Sequence, residues 1–220
     1  MVELRKRKAP IQPPLAEKRS KKDQQSATVS IPSDQEKKSP SSSSSNKPPK
    51  VGDTIALDKL GGEIETNDGI QTTLKKLVGE SKSGIVLFTY PRASTPGCTK
   101  QACMFRDGYD FLTSTGFSIF GLSADSPKAN TTFRTKQTLP YPLLSDTAST
   151  LIAALGLKKN PKGTSRGVFA VDKEGKVLLL QAGGPDATLE AARQLVKRIS
   201  SDNGSKSDTE KLKSPGKDGK

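Results

Sequence analysis

The chain has 220 residues, and its 36 Lys and Arg residues outnumber 23 Asp and Glu residues, which leaves a formal net charge of +13. It contains two cysteines and no histidine, too few ligands for a four-coordinate structural zinc site within one chain. Two cysteines also cannot form the disulfide framework of a small secreted protein. No apolar run approaches the roughly 20 residues of a membrane span, and no signal-peptide core follows Met1. We therefore expect a soluble intracellular protein without membrane contact.

Composition divides the chain into three parts. Residues 1–50 are rich in Pro, Ser, Gln and Lys and lack aromatic residues, and residues 200–220 have the same polar character. Such segments cannot bury enough apolar surface to offset the entropy lost on ordering. We predict disordered tails at residues 1–50 and 200–220. Residues 51–199 form one predicted domain of ordinary size.

The N-terminal tail carries much of the positive charge, with 12 basic and 5 acidic residues in the first 50. Its basic residues include two clusters separated by nine residues: Arg5, Lys6, Arg7 and Lys8, then Lys18, Arg19, Lys21 and Lys22. This pattern predicts a bipartite nuclear-import signal, an import receptor as partner and a nuclear location. The same charges could contact nucleic acid phosphates weakly and without sequence preference, or only keep the tail soluble. The tail has no aromatic residue, so base stacking is not expected.

Residues 51–199 alternate between strand and helix patterns. Short apolar runs predict strands at residues 85–90, 117–122, 140–144, 167–171 and 176–180. Capping residues, prolines and periodic apolar residues predict helices at residues 95–114, from Ser126 onward, at 149–155 and at 186–199. The last two strands flank a predicted hairpin turn at residues 172–175. This order indicates an α/β fold in which helices flank a mixed sheet.

Both cysteines lie in the first helix of this series, predicted at residues 95–114. Thr95 is the predicted N-cap and Pro96 the first helical residue, so Cys98 is the third. Unpaired backbone N–H groups, the positive end of the helix dipole and a nearby arginine all favour a thiolate at such a position. The segment therefore predicts a nucleophilic thiolate that needs no histidine.

The spacing of the cysteines limits how they can pair. Helix geometry places Cys103 about 140° around the axis and about 7.5 Å along it from Cys98, with the Cα atoms roughly 8.6 Å apart. Disulfides rarely span more than about 7 Å between Cα atoms. A bond between these two cysteines would therefore require the helix to unwind locally. The predicted apolar stripe on the same helix is Cys98, Ala102, Phe105, Tyr109 and Leu112.

Other interpretations of the cysteines remain open on residue types alone. Both could be small buried hydrophobic side chains, and two chains together could bind zinc. A Cys-x-x-Cys motif is absent, which disfavours a thioredoxin-like disulfide reductase.

The sequence around Cys98 resembles the active site of the peroxiredoxins. Pro91, Thr95 and Cys98 match the Pro-x-x-x-Thr-x-x-Cys signature of that family. The longer segment at residues 90–103 is similar to the PrxQ, or bacterioferritin-comigratory, branch, in which a second cysteine follows five residues later. With its basic N-terminal extension, the chain is most similar to fungal nuclear members of that branch. The similarity covers about residues 51–199.

The resemblance implies a thioredoxin-like fold and a thiol peroxidase without cofactor or metal. Cys98 would be the peroxidatic cysteine, attacking the terminal peroxide oxygen to become a sulfenic acid. Cys103 would be the resolving cysteine and form an intramolecular disulfide, which thioredoxin would reduce. A cysteine pair within one chain does not require a dimer, so we expect a monomer. The peroxide substrates would be hydrogen peroxide and organic hydroperoxides.

The resemblance also assigns residues around Cys98. Thr95 would hydrogen-bond both Cys98 and the peroxide, and Pro91 would shield the thiolate from water. Backbone N–H groups near Gly97 and Cys98 would bind the peroxide oxygens. Arg166, just before a strand that ends in Asp, would stabilise the thiolate and polarise the peroxide. Many relatives carry Ser or Thr two residues after this arginine, where the present chain has a valine.

The predicted function is therefore a nuclear, thioredoxin-dependent peroxidase that protects the cell against peroxides. One alternative is a chromatin-associated redox sensor or binding module that uses the same thiols to oxidise a partner. Another is a nucleic-acid-binding protein whose folded part is chemically inert.

Overall fold

The computed structural model describes residues 47–161 and 163–207, and within these residues seven strands form one mixed sheet in the order β2-β1-β5-β4-β3-β6-β7. The strands are β1 (Glu63–Thr66), β2 (Gln71–Thr73), β3 (Gly84–Thr89), β4 (Phe117–Ser123), β5 (Leu143–Ser145), β6 (Gly167–Asp172) and β7 (Val177–Ala182). The helices are α1 (Leu74–Glu80), α2 (Pro96–Asp107), α3 (Tyr109–Thr113), α4 (Pro127–Gln137), α5 (Thr150–Ala154) and α6 (Pro185–Ser207). In this part of the chain no helix is long and apolar enough to cross a membrane.

The centre of the sheet is parallel and its flanks are antiparallel. β3 pairs parallel with β4, and β4 pairs parallel with β5. β6 runs antiparallel to β3 and continues into β7 through the hairpin predicted at residues 172–175. The predicted mixed α/β sheet is therefore confirmed. The hairpin of β1 and β2 and the helix α1 come before the first predicted element and were not predicted.

Side chains of β3 and of Tyr90, the residue after it, alternate between two apolar cores. Val86, Phe88 and Tyr90 point to the core that contains the buried residues of α2, α4 and α6. Ile85 and Leu87 point to the second core, which holds those of α1 and α5. All five are fully buried. This period of two, with apolar residues on both faces, is typical of a strand covered by helices on both sides.

The helix predicted at residues 95–114 is wrong in one respect, since Gly108 divides it. α2 ends at Asp107, Gly108 has φ −97° and ψ 9°, and α3 begins at Tyr109. Glycine is a weak helix former, and here it lets the chain leave regular helical geometry. The apolar stripe survives this break because Leu112 in α3 is still fully buried.

The last helix is longer than the one predicted at residues 186–199. α6 continues to Ser207, whereas the disorder predicted for the C-terminal tail stays a prediction. The apolar stripe of this helix ends near Ile199, and polar residues beyond it leave no periodic signal in the sequence. At the other end, the backbone N–H of Lys50 donates to Asp53 Oδ2 over 2.8 Å. Residues 1–46 and 208–220, with all eight import-signal residues, lie outside the described residues.

Candidate active site

The topology brings residues 90 and 166 to one edge of the sheet. β3 ends and β6 begins at this edge because the two strands run antiparallel, with Thr89 opposite Gly167. The Thr89 hydroxyl also donates to the carbonyl oxygen of Ser165 over 2.8 Å. Two segments far apart in sequence, the loop after β3 and the residue before β6, therefore meet.

Two hydrogen bonds and one left-handed residue characterise the backbone conformation of the loop between β3 and α2. The N–H of Ala93 donates to Asp125 Oδ2 over 2.6 Å, which ties the loop to the turn after β4. Ser94 has φ 61°, a left-handed conformation that is uncommon for a residue with a side chain. The hydroxyl of Thr95 donates to the carbonyl oxygen of Arg92 over 3.0 Å. Pro91 lies exposed at the start of this loop, and its predicted shielding of the thiolate stays a prediction.

The start of α2 was predicted correctly, whereas the hydrogen bond predicted from Thr95 to Cys98 stays a prediction. Thr95 is the N-cap and Pro96 the first helical residue, yet the Thr95 side chain makes no capping hydrogen bond. The turn at Ser94 brings the Arg92 carbonyl within reach, and the Thr95 hydroxyl donates there instead. Without a side-chain cap, the first-turn amides, among them those of Gly97 and Cys98, remain candidates to bind an incoming oxygen atom.

Cys98 is buried, with 1% of its surface exposed, and its thiol lies beside a guanidinium group. Arg166 Nη2 donates to Cys98 Sγ over 3.5 Å. A Cβ atom on Gly97 would lie 3.2 Å from the same nitrogen, so the guanidinium also sits close to the helix backbone. The structure thus brings together Gly97, Cys98 and Arg166, while the catalytic roles of these residues stay predictions.

Sequence reasoning missed the side chains that hold Arg166. Its Nη1 donates to Gln101 Oε1 over 2.6 Å, and Gln101 Nε2 donates to Thr188 Oγ1 over 3.0 Å. Gln101 and Thr188 are both fully buried. A signal existed for Gln101, because it follows Cys98 by three residues and so shares its face of the helix. Thr188, near the start of α6, carried no such signal.

Cys103 faces a different helix from Cys98. Its thiol is half-buried and donates to Gln137 Oε1, at the end of α4, over 3.5 Å. Arg106 Nη1 donates to the carbonyl oxygen of the same Gln137 over 2.7 Å. Both cysteines are free thiols, and α2 is continuous between them. The structure therefore corresponds to the reduced protein.

Two buried tyrosines border the cysteine helix. Tyr90 donates to Asn130 Oδ1 over 2.8 Å, and Tyr141 donates to the carbonyl oxygen of Ala102 over 2.7 Å. Burial is the main cause that raises the pKa of both phenols well above the ordinary range. Both hydroxyls therefore remain protonated donors at any physiological pH, and they fix backbone and side chains around α2.

Two grooves lie elsewhere on the described surface. One, of about 440 Å³, runs between β7 and α6, and another, of about 420 Å³, lies near β1, α1 and β4. Neither is lined by Cys98 or Cys103.

Comparison with known proteins agrees with this geometry. Residues 56–179, more than half of the chain, match the model of the AhpC/TSA family. The chain is 44% identical over 110 residues to peroxiredoxin bcp1 of Schizosaccharomyces pombe, a match that spans 50% of this chain and 53%, about half, of that relative.

Solved structures match this chain over nearly their own whole length and over about two thirds of this chain. The crystal structure of peroxidoxin BcpB from Mycobacterium tuberculosis is 33% identical, with a TM-score of 0.62 over 68% of this chain and 97% of that one. The bacterioferritin comigratory protein of Xanthomonas campestris, described with alkyl peroxide reduction activity, is 28% identical. Its TM-score is 0.56 over 66% of this chain and 99% of that one. These matches confirm the predicted thioredoxin-like fold, and the chain belongs to the AhpC/TSA family, the peroxiredoxins.

Proposed function

We propose that this protein is a thiol peroxidase that reduces hydrogen peroxide and organic hydroperoxides with Cys98 as the attacking sulfur. The observation that carries the proposal is the 3.5 Å contact between Arg166 Nη2 and Cys98 Sγ at an uncapped helix start. Such a site presents a positive charge and unpaired N–H donors around one thiol. Family membership supports the peroxidase over the chromatin-associated redox sensor.

The first step transfers one oxygen atom to sulfur. The Cys98 thiolate attacks the terminal oxygen of the peroxide, an S–O bond forms and the O–O bond breaks. The leaving oxygen takes both electrons of that bond and gains a proton, which gives water or an alcohol. Arg166 and the first-turn amides stabilise the negative charge as it moves from sulfur to the leaving oxygen.

The second step forms a disulfide and requires α2 to change. The Cys103 thiol loses its proton, and its thiolate attacks the sulfur of the Cys98 sulfenic acid to form the S–S bond. The S–O bond breaks, and the leaving hydroxide takes up a proton and becomes water. In the reduced structure Cys103 contacts α4, whereas Cys98 contacts Arg166. The segment between the cysteines must therefore unwind before the sulfurs can meet. A thioredoxin dithiol then reduces the disulfide and restores both thiols.

A single-turnover experiment tests the proposal. The reduced protein receives one equivalent of hydrogen peroxide, and its mass and free thiols are followed over time. We expect loss of both thiols and a mass decrease of two hydrogens, followed by turnover with thioredoxin and its reductase. Cys98→Ser should abolish both. Full thioredoxin-dependent activity in the Cys98→Ser protein would contradict the assignment.

The nuclear location is a second part of the proposal, and it depends on the tail sequence. Replacing Lys18, Arg19, Lys21 and Lys22 by Ala in a fluorescently tagged full chain should shift the protein toward the cytoplasm. Peroxidase activity measured in vitro should not change, because these residues precede the folded domain. An unchanged nuclear signal after replacement of both basic clusters would contradict the import signal.

A further inference from the structure

The short segment between the two cysteines is tied to other elements at nearly every residue. Lys100 Nζ lies 2.7 Å from Asp186 Oδ2, and Gln101 Nε2 lies 3.0 Å from Thr188 Oγ1. The carbonyl oxygen of Ala102 accepts the Tyr141 hydroxyl. Two of these three ties end in the first turn of α6. We call the pairs Lys100–Asp186 and Gln101–Thr188 the α2–α6 contact.

The buried half of this contact is a series of hydrogen bonds in which each residue donates to the next, beginning at Arg166. Arg166 Nη1 donates to Gln101 Oε1, and Gln101 Nε2 donates to Thr188 Oγ1. The Thr188 hydroxyl donates in turn to the carbonyl oxygen of Pro185 over 2.8 Å. Since every polar atom of this series has a partner, the Gln101 amide is held in one orientation and presents its oxygen to the guanidinium.

The outer half of the contact is exposed and weaker. Side chains of Lys100 and Asp186 are 57% and 68% exposed, so solvent and salt screen their attraction. Hydrogen bonding by Lys100 nevertheless lowers the pKa of Asp186, which keeps that carboxylate charged. The pair therefore adds a modest restraint beside the buried hydrogen bonds.

We propose that Thr188 is a positioning residue that favours the first chemical step and slows the second. While the α2–α6 contact is intact, it orients Arg166 toward Cys98 and promotes attack on the peroxide. The same contact must break before the Cys103 thiolate can reach the Cys98 sulfenic acid. Thr188 therefore sets how long the sulfenic acid persists, and with it the chance that a second peroxide oxidises Cys98 to the sulfinic acid.

This inference rests on the proposed function, and Thr188→Val tests it by changing the two rates in opposite directions. Valine has nearly the shape of threonine but cannot accept from Gln101. We expect Cys98 oxidation to slow about 2- to 10-fold and disulfide formation to accelerate about 2- to 10-fold, the range of one neutral hydrogen bond. Half-maximal overoxidation during turnover should need a correspondingly higher peroxide concentration. Thr188→Ser retains the hydroxyl and should restore both rates.

The rates are measured on the full chain by rapid acid quench, thiol labelling and mass spectrometry. A folded Thr188→Val protein whose disulfide forms no faster than in the wild type would overturn the inference. If Thr188→Val does not fold, Asp186→Lys provides a surface test, because it places two lysines in contact and should accelerate disulfide formation in a salt-dependent way. Asp202→Lys makes the same charge change in α6 far from the α2–α6 contact. Equal rates in these two variants would also overturn the inference.

Failure of this inference can be distinguished from failure of the proposed function. A wild-type protein whose Cys98 does not react with peroxide contradicts the peroxidase itself. In the other case, the wild-type protein reacts and forms the disulfide, and all Thr188 and Asp186 variants match it in both rates. The peroxidase assignment then stands, and only the role of the α2–α6 contact is contradicted.

Discussion

Replacing Arg166 tests whether its guanidinium group promotes the reaction of Cys98 with peroxide. Arg166 makes two contacts through one rigid guanidinium group, with Cys98 Sγ at 3.5 Å and Gln101 Oε1 at 2.6 Å. Lysine keeps the charge but has no planar group to reach both atoms at once, whereas methionine removes the charge and keeps the length. Both variants should therefore react more slowly with peroxide, and methionine should be the slower one.

The expected reduction in the rate of Cys98 oxidation follows from the hydrogen bond that each variant loses. A hydrogen bond to a charged group contributes about 1.5–3 kcal/mol, and each 1.4 kcal/mol is a factor of ten in rate. Because the contact to Cys98 is long, we place Arg166→Lys near the lower end, about 10-fold slower. For Arg166→Met the thiolate and the leaving oxygen both lose the positive charge, and we expect a reduction of about 100-fold.

The assay must report on Cys98 directly. The chain has no tryptophan, so intrinsic tryptophan fluorescence cannot follow the reaction, and competition with a haem peroxidase for limiting hydrogen peroxide gives the rate instead. Arg134→Met is the matched control, since Arg134 contacts Asp68 at 3.5 Å and neither cysteine. A wild-type oxidation rate in folded Arg166→Met protein would refute the role of the guanidinium.

Three further changes test other parts of the site. Cys103→Ser should leave the first oxidation of Cys98 intact but block the intramolecular disulfide. Under excess peroxide, mass spectrometry should then show sulfinic acid at Cys98. Rapid disulfide-dependent turnover in this variant would contradict the resolving role of Cys103. Gly97→Ala places a Cβ 3.2 Å from the guanidinium and should slow Cys98 oxidation, although alanine favours the helix and thermal stability should not fall. Asp125→Ala removes the acceptor for the Ala93 N–H, so exchange of that amide hydrogen should rise about 10- to 150-fold, whereas Asp125→Asn should have a smaller effect. Unchanged exchange in Asp125→Ala would mean that the loop is held by other contacts.

Local sequence determined the elements that carry the chemistry. Apolar runs and capping residues predicted β3, the start of α2 at Pro96 and the hairpin of β6 and β7, because strand period, proline position and turn residues act over a few neighbouring positions. The position of Cys98 in the first turn of α2 follows from Thr95 and Pro96 alone. Family resemblance then singled out Arg166, which composition could not distinguish from the other arginines.

Tertiary structure decided which side chains meet. Arg166 reaches Cys98 because β3 and β6 pair antiparallel, and strand pairing between segments so distant in sequence leaves no local signal. Thr188 reaches Gln101 only because α6 packs against α2. The hydroxyl of Thr95 donates to the carbonyl oxygen of Arg92 instead of capping α2, next to the left-handed backbone at Ser94. Each of these contacts depends on the packing of whole elements, whereas the thiolate position at the helix start depends only on residues adjacent in the chain.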